Sequence, residues 1–77
     1  MFFLIEYNRS IGKLVSLRTF SRLKPAEDAR AELELSLHST GTEHEVVVLE
    51  AESEAAIRKT HRRYFEDLKD LLQPLPL

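Results

Sequence analysis

Seventy-seven residues without a cysteine make one small domain, and they exclude disulfide staples and thiolate zinc sites as sources of stability. A chain of this size then relies on well-made helix and sheet packing or on a partner subunit, and the missing cysteines fit a reducing compartment, so a cytoplasmic protein is expected. A formal net charge of −2 argues against indiscriminate affinity for nucleic acid.

The first element is Phe2 to Tyr7, rich in strand-forming residues and apolar at odd and even positions alike until Glu6. That pattern predicts a central strand covered on both faces. Glu6 ends the apolar run too early for a signal peptide or a membrane helix, so no membrane association is expected. Asn8 to Gly12 supplies turn residues, and Lys13 to Phe20 is expected to return as an antiparallel edge strand. There, simple alternation puts Val15, Leu17 and Thr19 on one face and Leu14, Ser16, Arg18 and Phe20 on the other.

Pro25 is expected at the first position of a helix, with Glu27 and Asp28 in its first turn and Ala26, Ala29, Leu33 and Leu37 as its inner stripe. Residues 32–38 also alternate with period two, so a strand competes there. Helix is preferred, because the preceding Ala, Glu and Arg residues favour it. His44 to Leu49, with three consecutive valines, predicts a third strand. Ser53 is a suitable N-cap for a last helix running to Leu72, and Pro74 and Pro76 keep residues 73–77 out of it. The domain therefore spans residues 1–72, followed by a non-helical tail.

This order, ββαβα, predicts an α+β fold: a three-stranded sheet in the order 2-1-3, with two helices packed on one face. One apolar face of the sheet would then lack cover. The expected remedy is a homodimer, joined face to face or edge to edge. Its interface candidates are Phe2, Leu4, Val47 and Leu49, or on the opposite face Phe3, Ile5, Val46 and Val48.

Chemistry has few candidates. Only Gly12 and Gly41 are present and neither sits in a phosphate-binding loop, so no nucleotide or other cofactor is expected. No metal is expected either: His38 and His44 flank a loop near Glu43 and Glu45, but at no common ligand spacing. His61 falls within the apolar arc of a continuous last helix, with Ile57, Tyr64, Phe65, Leu68, Leu71 and Leu72. It is a weak candidate for a base or ligand-binding group, and a packed histidine is the plainer reading.

Arg58, Arg62 and Lys69 line one edge of that arc, and Lys13 and Arg18 mark the hairpin strand. Together they are the candidates for a nucleic-acid surface. Against this, Glu54 and Glu66 stand at helical spacing to pair with Arg58 and Arg62. A homodimeric interaction module, with an unidentified protein as a further partner, is favoured over a nucleic-acid-binding protein and over an enzyme.

Overall fold

The computed structural model describes residues 1–38 and 43–65. Three strands, β1 (Phe2–Asn8), β2 (Lys13–Phe20) and β3 (His44–Glu50), form one sheet in the order β2-β1-β3, and both pairings are antiparallel. The helices are α1 (Leu23–His38) and α2 (Glu54–Thr60), followed by a short 3-10 turn over Arg62–Tyr64. The α+β class, element order and strand order are those the sequence predicts.

The β1–β2 turn is built around Asn8. Its Oδ1 accepts from the amides of Ser10 and Ile11 at 2.9 and 3.3 Å, and Gly12 closes the turn with φ of 67°. That left-handed backbone is where glycine avoids a Cβ clash. The β1–β2 register shifts between Glu6 and Tyr7, whose partners are Ser16 and Leu14. Val15 is the extra residue of a β-bulge and stands 49% exposed. The bulge corrects the simple alternation expected for β2: Leu14 joins Leu17 on the face of Ile5 and Tyr7.

Helix α1 begins at Leu23, two residues before the expected Pro25 start. A proline is tolerated throughout the first turn, because none of those amides has an intrahelical acceptor. Glu27 and Asp28 consequently lie beyond the first turn, where they pair with Arg30 at 2.8 Å and Lys24 at 3.5 Å. Residues 32–38 are helical, in line with the preferred reading. Ala26 and Ala29 are buried and Leu33 and Leu37 half-buried, as the inner stripe requires, while Leu35 faces out.

The last helix departs most from expectation. Ser53 caps it, accepting from the Ala56 amide at 3.1 Å, but it stops at Thr60. The Thr60 hydroxyl reaches back to the carbonyls of Ala56 and Ile57 at 3.2 and 3.4 Å and also contacts His61 Nδ1 at 2.9 Å. Back-bonding of this kind slightly destabilises and bends a helix. The break at His61 turns Tyr64 into the core beside Phe3, Ile5 and Ile57, where its ring meets Tyr7 edge-on at 5.4 Å. The expected continuation through Leu68, Lys69, Leu71 and Leu72, and the tail at 73–77, fall outside the described residues.

Register also reassigns the sheet faces. Leu4 pairs with Val48 and Glu6 with Val46, whereas Phe3 pairs with Leu49 and Ile5 with Val47. Directly opposed residues share a face, so the expected groupings of Phe2 and Leu4 with Val47 and Leu49, and of Phe3 and Ile5 with Val46 and Val48, are corrected. Ile57, Tyr64 and Phe65 cover the Phe3 and Ile5 face. Helix α1 lies over the Leu4 face, where its Leu37 and His38 share a cleft with His44 and Val46. The expected packing of both helices on one face is thereby corrected: they divide between the two faces, and Phe3, Leu4 and Ile5 are at most 1% exposed. Among the described residues, the surface left open is an edge rather than a face.

Candidate functional site

That edge is the outer side of β3. Flanking the strand, the Arg9 amide bonds to the Glu43 carbonyl at 2.9 Å, and the Ala51 amide bonds to the Met1 carbonyl at 3.0 Å. In an antiparallel ladder alternate residues turn both backbone groups to the same neighbour. Glu45, Val47 and Leu49 therefore face β1, and His44, Val46, Val48 and Glu50 present their N–H and C=O groups outward. Among the described residues no strand pairs with them. Their neighbours Val47 and Leu49 are likewise only half-buried.

The same side of the molecule continues onto α1. A cleft of about 200 Å³ is lined by Glu34, Leu37, His38, His44 and Val46, and a shallower groove by Ala31, Glu34, Leu35 and His38. Glu34 and His38 belong to both, so one continuous surface runs from the β3 edge to Leu35. Leu35 is 76% exposed, more than any other large apolar residue described. Of the expected interface residues, Val46, Val47, Val48 and Leu49 remain accessible at this edge. Phe3, Leu4 and Ile5 are sealed within the chain.

Glu6 and His44 form the polar floor of this region. His44 Nδ1 lies 2.5 Å from Glu6 Oε2, with side chains only 11% and 10% exposed. A carboxylate on a central strand needs such a partner, because an unpaired buried charge costs several kcal/mol. The interruption of an apolar strand by Glu6 was the available sequence signal. The pairing itself is set by β1–β3 register, which places Asn8 opposite His44 and so brings Glu6 within reach. Glu6 orients the imidazole and leaves Nε2 as the nitrogen for a further hydrogen bond. His38 and His44 do share the cleft, but among the described residues no group of three or more acidic, histidine or cysteine side chains is placed to hold a metal.

His61 is not within a continuous helical arc. It caps α2, is half-buried, and stacks on Tyr64 with ring centroids 6.4 Å apart and planes at 22°. Its Nδ1 is taken by Thr60, and the orienting carboxylate that a general base requires stands beside His44 instead. Tyr64 donates its hydroxyl to Glu45, and Arg63 Nη2 donates to Glu45 at 2.6 Å and to the Tyr64 oxygen at 2.7 Å. Burial, reinforced by the Glu45 carboxylate, raises the Tyr64 pKa above the ordinary tyrosine value, with Arg63 opposing. This cluster ties the β3 edge to the chain following α2.

The arginines among the basic candidates are engaged within the chain. Arg58 pairs with Glu54 at 2.8 Å and lies over the Phe65 ring at 4.6 Å. Arg62 is also engaged, and Lys69 lies outside the described residues. Lys13 is exposed on β2, while Arg18 stacks over Phe20 at 5.1 Å. No helix among the described residues is long and apolar enough to cross a membrane. Comparison with protein families, curated proteins and solved structures finds no match.

Proposed function

We propose that the protein is a homodimeric interaction module of the cytoplasm, whose copies join edge to edge through β3. The observation that carries this reading is the continuous open surface formed by the outward backbone of β3 and the exposed Leu35 flank of α1. An apolar strand edge with unpaired backbone groups is a template for another strand, and two-fold association is the commonest way for a small chain to close one. A stable interface buries about 1,200 Å² or more in total, which calls for the helix flank as well as the strand. The absence of cysteine supports the cytoplasmic assignment.

A face-to-face dimer loses its rationale, since each sheet face already carries a helix. The engaged arginines favour assembly over phosphate binding. Light scattering at micromolar concentration tests the reading: a particle of twice the 8.9 kDa chain mass is expected. A particle of the chain mass alone would sink it.

A further inference from the structure

Resting on the homodimer reading, we infer that the second copy docks on β3 in one register, with the two-fold axis at Val47. Three constraints converge on it. A continuous sheet made by a two-fold axis normal to its plane pairs residues of like face, so a one-residue slip is forbidden; it would also set Glu45 against the partner's Glu50. Only His44, Val46, Val48 and Glu50 direct backbone groups outward. With Val47 on the axis, all of these find partners within the strand: His44 opposite Glu50 and Val46 opposite Val48. A shift by two residues in either direction leaves part of the strand unmatched.

The side chains agree with this register. His44 stands opposite the partner's Glu50 and Glu45 opposite Leu49, so no two carboxylates oppose one another, and Glu45 keeps its bonds to Arg63 and Tyr64. The two Val47 side chains meet as a non-hydrogen-bonded pair, the closer of the two antiparallel spacings, with Cα atoms about 4.5 Å apart. The two-fold axis also puts the α1 helices on one side of the joined sheet, with their Leu35 flanks turned toward each other.

Because the chain has no cysteine, the register is readable by cross-linking. A Cα separation of about 4.5 Å lies within disulfide range. Under mild oxidation V47C is expected to form covalent dimers in high yield. V46C alone and V48C alone should not, while an equimolar mixture of the two should give the mixed dimer. V15C, on the bulged β2 edge, is the control and should stay uncoupled.

Self-linking of V46C or V48C at the efficiency expected for V47C would overturn the register while leaving the homodimer intact. If every variant stays unlinked and its reduced form scatters with the mass of one chain, the homodimer reading itself falls. A reduced V47C that scatters as a dimer but will not link would overturn the axis alone.

Discussion

The two edges of this sheet face opposite fates. β2 carries a bulge at Val15, an exposed Lys13 at its start and Arg18 beside its end. These are the devices by which natural sheets discourage a further strand. β3 is regular over its whole length, with Val46-Val47-Val48-Leu49 at its centre and ionisable residues confined to its ends. Among the described residues one edge is blunted and the other is left open, while both faces of the sheet carry a helix. The difference is why the proposed association is placed at an edge, where the sequence pattern had left face-to-face and edge-to-edge joining both open.

The largest effect is expected from carrying the β2 device to β3. Val47→Lys sets like charges opposite each other across the two-fold axis and should weaken dimerisation at least about a hundredfold, roughly 3 kcal/mol, by sedimentation. Val15→Lys should leave the assembly unchanged. Next, His44→Ala strands the Glu6 carboxylate beneath α1 and should lower stability by about 2 kcal/mol in urea titration, whereas Val15→Ala should fall within about 0.5 kcal/mol of wild type. Ser53→Ala removes the cap of α2 and should cost about 1 kcal/mol.

The smallest effect is a pH dependence. Tyr64 holds its proton more tightly when folded than when unfolded. Its contribution is therefore complete below the ordinary tyrosine pKa and is lost as pH rises through the higher folded value. Thermal melts should show stability declining above about pH 10, and Tyr64→Phe should flatten that decline relative to wild type.

Much of the fold was legible because it follows local rules. The hydrophobic patterns of Phe2 to Tyr7 and His44 to Leu49, the turn chemistry of Asn8 and Gly12, and Ser53 as a cap all report on short stretches of chain. What was not legible depends on register and on tertiary competition. No local pattern shows that Val15 is skipped, that Leu4 lies opposite Val48, or that α2 stops at Thr60 and Tyr64 enters the core. The Glu6–His44 pair belongs to the same class: its members are far apart in sequence and meet only once β1 and β3 are aligned. His61 drew notice because a continuous helix was assumed, and the break at Thr60 removes that basis.

Amide hydrogen exchange compares the two edges in one experiment. On β1 the residues that do not bond to β3 bond to β2, so Leu17 and Thr19 turn their amides outward on the far edge, as Val46 and Val48 do on β3. Edge-to-edge association predicts slow exchange at Val46 and Val48 and fast exchange at Leu17 and Thr19, with the contrast lost on dilution. Fast exchange at all of these amides at micromolar concentration would contradict it.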